Sequence, residues 1–333
     1  MRTFLLLILL LSSTALNVFA EDAKPLRGET SNTLRLSGNE NSLGDIDNEI
    51  TNSLLRAQLG AKSRWSFKSF FGYSGGSIEK PLSELRPNYR AGAKIEDYAS
   101  LMGTVGVNYR LTERDYLDFS TGITIIDPLH NGLTISLTDR RSGGQNASIP
   151  RFQVAVPSVG WSRGYSFHNV QMISGVSYSH FTDSDSANQN AIGAISFNQT
   201  LLETFLQSRW SGGLAGTYSY NFFGGSIKSS SLLPMYEAGI YRRTEVVLGI
   251  YPFLEYAFTD RICFRTVMGY FEFWKYKDEY NSNGRYFQAE PYQSVGLGIS
   301  VTRDIYLYPN VQFTPKDIRA DRTNVALSTN INI

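Results

Sequence analysis

The residues best suited to chemistry in this 333-residue chain are three histidines, one cysteine and a few closely spaced carboxylates. His180 stands near Asp183 and Asp185, a grouping that could hold a cation or supply a general base. A hydrolase that builds its site on one strand face can pair the histidine with a serine two residues away. Tyr178 and Thr182 occupy those positions, so His180 reads as a solvated loop-edge side chain. His130 falls in a long loop and His168 in a short turn. The segment 182–190, TDSDSANQN, carries too few carboxylates for a calcium loop and lacks its glycine. Gly75-Gly76, Gly143-Gly144 and Gly212-Gly213 lack the spacing and the lysine of a phosphate loop. Cys263 has no second cysteine with which to form an intramolecular disulfide. The sequence predicts no catalytic centre, no metal and no cofactor.

The elements that carry these residues are strands. The chain has 29 Gly, 20 Tyr and 20 Phe, and only 18% of its residues are charged. Tyr and Phe favour strands, and Gly tolerates close packing in a curved sheet. From Ser63 onward the pattern repeats with a period of two. Leu101, Val105, Val107, Tyr109 and Leu111 oppose Met102, Thr104, Gly106, Asn108 and Arg110. After the turn Thr112-Glu113-Arg114, Leu117, Phe119, Thr121, Ile123 and Ile125 oppose Tyr116, Asp118, Ser120, Gly122 and Thr124. Two such runs joined by a polar turn make a hairpin. The same unit recurs around Thr259-Asp260-Arg261 and Thr302-Arg303-Asp304.

The reading gives twelve strands, near 64–74, 99–111, 115–126, 151–164, 169–181, 192–205, 210–222, 245–258, 262–276, 287–301, 304–313 and 323–333. Their connections alternate long and short. That is the signature of an up-and-down barrel in an outer membrane, with short periplasmic turns and longer outer loops. The predicted fold is all-β: a membrane-spanning antiparallel up-and-down β-barrel over 63–333, with both termini periplasmic. A soluble sandwich also alternates, but it would put charged side chains on its polar face. Here that face is mostly Gly, Ser, Thr, Asn and Ala, which suits a filled, partly wet lumen.

Ahead of the barrel, residues 1–20 read as a signal peptide. Arg2 supplies the positive start, Leu5 to Leu11 the apolar run, and Val18 and Ala20 a cleavage site before Glu21. Residues 21–62 are polar. Ile46, Ile50, Leu54 and Leu55 fall near a helical period. This segment is either a short amphipathic helix or loose stretch in the periplasm, or a plug inside the barrel.

The alternation also sorts the strand side chains. Arg64, Lys68, Arg110, Asp118, Glu255 and Arg265 fall on lumen faces, and the turn at 259–261 sets Glu255 opposite Arg265. A cross-strand ion pair there costs less than either charge in lipid. Such charges either rigidify the interior or line a pore and set its ion preference. Trp65, Tyr109, Trp210, Phe258 and Trp274 are candidates for the aromatic girdles at headgroup level.

The signal peptide, the twelve amphipathic strands, the polar turns and the closing TNVALSTNINI together resemble a generic Gram-negative outer-membrane β-barrel of porin-like architecture. The resemblance covers the barrel. It implies outer-membrane lipid as a partner, and recognition by the barrel-assembly machinery through the C-terminal strand. Barrels of this kind often end in an aromatic residue, whereas this chain ends in Ile333. The functional expectation is a narrow channel for small solutes or ions. The alternatives are a structural or surface-interaction protein, with contacts near 75–98, 127–150 and 223–244, and a barrel lipid hydrolase. The net charge of +1 argues against nucleic acid.

Overall fold

The computed structural model describes residues 46–89, 96–130, 151–205, 208–226, 243–277 and 286–333. The expected signal peptide and residues 21–45 lie outside the described residues. Two short helices open the described chain, α1 (Ile46–Glu49) and α2 (Ser53–Leu59).

Among the described residues, twelve antiparallel strands follow. They are β1 (Trp65–Ser77), β2 (Ser100–Arg110), β3 (Asp115–Ile126) and β4 (Phe152–Phe167). Next come β5 (Val170–His180), β6 (Ala191–Thr204), β7 (Trp210–Phe223) and β8 (Thr244–Ala257). β9 runs as Ile262–Gly269 and Phe271–Tyr276, and β10 as Tyr286–Gln288 and Tyr292–Thr302. β11 (Ile305–Phe313) and β12 (Asn324–Asn332) complete the set. Each strand pairs with its sequence neighbours, and β12 pairs back with β1 through Lys68↔Asn332 to Ser77↔Asn324. The sheet is a closed barrel. Closure leaves no strand edge with unpaired amides, which in hydrocarbon cost several kcal/mol each.

Three features depart from a plain twelve-strand reading. β9 breaks at Tyr270, and β10 breaks between Gln288 and Tyr292. A two-stranded ribbon, Leu85–Pro87 with Glu96–Tyr98, stands on the loop after β1. Five connections are short (after β2, β4, β6, β8 and β10) and lie at one end of the barrel, the short-turn end.

The register defines two faces. Phe67↔Val107, Val107↔Phe119 and Phe119↔Val159 form a row of apolar side chains along the hydrogen-bonding direction. All four residues are exposed to the surroundings. Many others share this outer face, among them Trp65, Phe197 and Leu297. A continuous apolar belt of this kind fits lipid rather than water. Polar outer-face groups satisfy each other: the Ser174 hydroxyl lies 2.9 Å from the Tyr165 hydroxyl and donates to Gln199 Oε1 at 2.5 Å. The opposite row runs Asn108↔Asp118, Asp118↔Gly160, Gly160↔Ser177, Ser177↔Ser196 and Ser196↔Ser219. Small and polar side chains therefore point into the barrel.

Candidate functional site

The lumen is where charge, polarity and free space coincide, and α1 and α2 sit inside it. Their apolar residues set the position. Ile46, Ile50, Leu55 and Leu59 are fully buried in one cluster with Tyr116 of β3, Leu202 of β6 and Phe253 of β8. All three partner residues face inward near the short-turn end. Burying a Leu or Ile side chain contributes roughly 1.5–3 kcal/mol.

Polar contacts fix the chain reversal between the helices. Gln171 of β5 accepts the Thr51 and Asn52 amides through Oε1, both at 2.9 Å, and donates to Thr51 Oγ1 at 2.9 Å. Asn52 caps α2 by accepting the Leu55 amide at 3.1 Å, and its Nδ2 donates to Glu255 Oε2 at 2.8 Å. Gly60 ends α2 at φ 103°, and a Cβ there would stand 2.7 Å from Asn332 Nδ2. Only glycine combines that dihedral with that approach. Asn332 Oδ1 in turn accepts from Ser66 Oγ at 2.9 Å and Asn108 Nδ2 at 3.2 Å.

Ion pairs join the helices to the short turns. Arg303, in the turn between β10 and β11, donates to both oxygens of Asp47 and also to the Gly60 carbonyl at 2.7 Å. Lys62 lies 3.1 Å from Asp47. Arg114 pairs with Glu49. Burial pushes the Asp47 carboxyl up, but Arg303 and Lys62 more than offset this and hold it below the usual carboxylate range.

Above the helices, two open spaces in the lumen are bordered by described residues. One, of about 490 Å³, is lined by Gln58, Lys68, Asp118, Ser162, Asn198 and Thr217, among others. The other, of about 240 Å³, is lined by Leu54, Arg265, Tyr292, Tyr306 and Tyr308, among others. Gln58, Phe70 and Asn330 border both, so α2 stands between them.

The residues singled out from sequence fall as follows. Glu255 and Arg265 face each other in register and form a buried pair. The Arg265 guanidinium stacks 4.4 Å from the Phe253 ring. Lys68 lies 3.0 Å from Asp118 across the lumen wall. Arg110 reaches the Lys62 carbonyl at 2.8 Å and lies over the Tyr116 ring. Arg64 is displaced from the expected lumen face. It precedes β1, so strand alternation does not constrain it, and its Nε donates to Tyr109 Oη at 2.7 Å at the outer rim. Trp65 and Tyr109 stack at 4.6 Å and Trp210 on Tyr256 at 4.9 Å, with Phe258 against Tyr256 at 5.4 Å. All five rings cluster at the short-turn end of the outer face. Trp274 does not join a girdle. The break at Tyr270 shifts the alternation, and the register Val247↔Trp274 puts it on the lumen side.

The helix-docking residues Gln171, Asn52, Asp47 and Arg303 were not singled out from sequence. Their partners lie 119 to 256 positions away, beyond any local pattern.

No family model matches this sequence, and no curated protein matches it. Among solved structures, an outer-membrane channel from Pseudomonas putida F1 is similar at TM-score 0.48 and 11% identity, over 82% of this chain and 97% of that one. The NanC porin gives TM-score 0.38 and 9% identity, over 80% and 98%. The outer-membrane phospholipase A of Escherichia coli gives 0.34 and 12%, over 86% and 96%. The last bears an enzyme's name and the first two do not.

Proposed function

We propose that this protein is an outer-membrane channel for small solutes or ions, with residues 46–59 as a resident constriction at its periplasmic mouth. The observation that carries this reading is the pair of spaces lined by charged and polar side chains inside a closed barrel, divided by a docked helix. Lys68 and Asp118 line the larger space and Arg265 the smaller. A passing ion therefore meets both signs of charge at close quarters, the means by which narrow pores select. The periplasmic assignment follows from the placement of the short turns.

The helices bury apolar groups but rest on charge pairs at the rim, which is the construction of a removable stopper. Planar-bilayer recording tests the reading with two proteins, the full barrel and a variant lacking residues 46–59. Larger steps from the deletion variant than from the full barrel support a gated channel. Folded barrels of both kinds with no steps above background would sink it.

A closed structural barrel is the second reading, favoured by the sealed apolar cluster of Ile46, Ile50, Leu55 and Leu59 with Tyr116, Leu202 and Phe253. The silent-barrel outcome of the same recording selects it. The hydrolase reading gains nothing from His180, because Tyr178 and Thr182 rather than a serine flank it on its own strand face.

A further inference from the structure

At the opposite, long-loop end of the barrel, three side chains from two separate segments converge. Glu84 precedes the small ribbon, and Asp127 and His130 follow β3. The ligating atoms of the three all lie within 4.8 Å of one another. We propose that Glu84, Asp127 and His130 form a site for a divalent transition-metal ion of the zinc class, which rivets the ribbon loop to the loop after β3.

The backbone is already arranged for this. The Ala99 amide donates to the Glu84 carbonyl at 2.8 Å, and the Asp127 amide donates to the Ala99 carbonyl at 2.7 Å. These two bonds set both segments side by side, independently of any side chain. The Asp127 side chain is 1% exposed. Its Oδ1 meets His130 Nδ1 at 2.5 Å, while its Oδ2 has no hydrogen-bond partner among the described residues. A buried carboxylate oxygen without a partner is costly, and a cation removes that cost. Asp127 also sits at φ 49°, which is uncommon for a residue other than Gly.

The simpler reading is an aspartate and a histidine paired three residues apart in a turn, with a surface glutamate nearby. That pair accounts for Oδ1 and His130. It leaves the buried Asp127 Oδ2 without a partner among the described residues. One imidazole and two carboxylates match zinc, which accepts nitrogen and oxygen ligands and leaves a fourth position for water. Calcium prefers six to eight oxygens, so the imidazole argues against it.

The test uses the whole barrel, folded in detergent, stripped with chelator and dialysed against Zn²⁺, with bound metal counted by mass spectrometry. One zinc per chain is expected. His130→Gln should weaken binding at least tenfold, and Glu84→Gln should also weaken it. His168→Gln and His180→Gln should bind as the parent does. Zinc should also raise the thermal midpoint of the parent but not of His130→Gln, because only a ligand held by the folded state stabilises it. His130 is partly exposed, so its replacement keeps the barrel; heat-modifiable gel migration verifies that each variant is folded. Folded parent with no zinc, or folded His130→Gln with undiminished zinc, overturns the site. Conductance does not enter this test, so its outcome is independent of the channel reading.

Discussion

Arg303 grips Asp47 with two hydrogen bonds, Nη2 to Oδ1 at 2.7 Å and Nε to Oδ2 at 2.9 Å, across 256 positions of sequence. The contact ties α1 to the turn between β10 and β11. Both groups are largely shielded, so the pair is stronger than an exposed one. Arg303→Ala removes it together with the bond to the Gly60 carbonyl. Hydrogen bonds to charged groups contribute about 1.5–3 kcal/mol, so helix undocking should rise at least tenfold. Trypsin cleavage after Arg56 or Lys62 in the folded barrel reports that opening. Unchanged cleavage would show that the apolar cluster and the remaining polar contacts hold the helices without Arg303.

The same pair sets a pH dependence. Docked Asp47 titrates below its ordinary 3.8, so its contribution is fully present above that value. It is lost as pH falls through the lower, docked value. Protease protection of residues 46–62 should therefore stay flat from about pH 8 to 5 and weaken below about pH 4. Asp47→Asn should lower protection at neutral pH and flatten the acid response. An acid response that persists in Asp47→Asn would assign the effect to another carboxylate.

Gly164 lies directly beneath α2, where an added Cβ would stand 2.4 Å from Leu59 Cδ2. Gly164→Ala should therefore loosen the docked helix. Leu59→Ala should cost about 2–5 kcal/mol by opening a cavity. The double variant restores some room, so the two changes should couple by about 0.5–3 kcal/mol in the direction of compensation. Simple additivity of the two penalties, read by the same protease assay, would mean that α2 does not rest on that strand.

How much of this was legible in the sequence depends on the range of the interaction. Phe119 and Asp118 sort to opposite faces because side chains alternate along any strand, and both fall where the pattern puts them. Glu255 and Arg265 meet because a short turn fixes hairpin register, which is again local. Trp274 escaped because one extra residue at Tyr270 inverts the alternation, and no compositional signal marks the break. Gln171 carries no local sequence mark that sets it apart from other polar strand residues. Its role as the clamp on Thr51 and Asn52 depends on two elements 119 or 120 residues apart meeting in space.

The buried Glu255–Arg265 pair makes a test of the lumen wall. Removing one partner leaves an uncompensated charge, with a penalty of about 3–5 kcal/mol. Glu255→Gln and Arg265→Gln should each lower the urea stability of the lipid-embedded barrel by that order. Glu255→Gln also weakens the Asn52 contact and should raise protease access to α2, whereas Arg265→Gln should not do so directly. The double replacement should recover part of the loss. Singles as stable as the parent would place the pair in open water.

Phe197 and Asn198 are neighbours near the middle of β6 that point to opposite sides of the wall. Phe197 is 52% exposed on the outer face, while Asn198 lines the larger lumen space. An arginine near the bilayer midplane on the lipid face costs about 2–4 kcal/mol, whereas a lumen substitution changes selectivity instead. Phe197→Arg should therefore lower the unfolding free energy in vesicles by that amount and leave the conductance of the folded fraction alone. Asn198→Arg should leave stability nearly unchanged and shift the ratio of anion to cation permeability toward anions. Because the two changes add the same side chain at adjacent positions, the introduced charge alone cannot account for opposite outcomes. Equal destabilisation by both would mean that β6 does not separate lipid from lumen. The inward-facing row of serines and the outward-facing row of aromatics would then have to be read as two sides of a sheet in water.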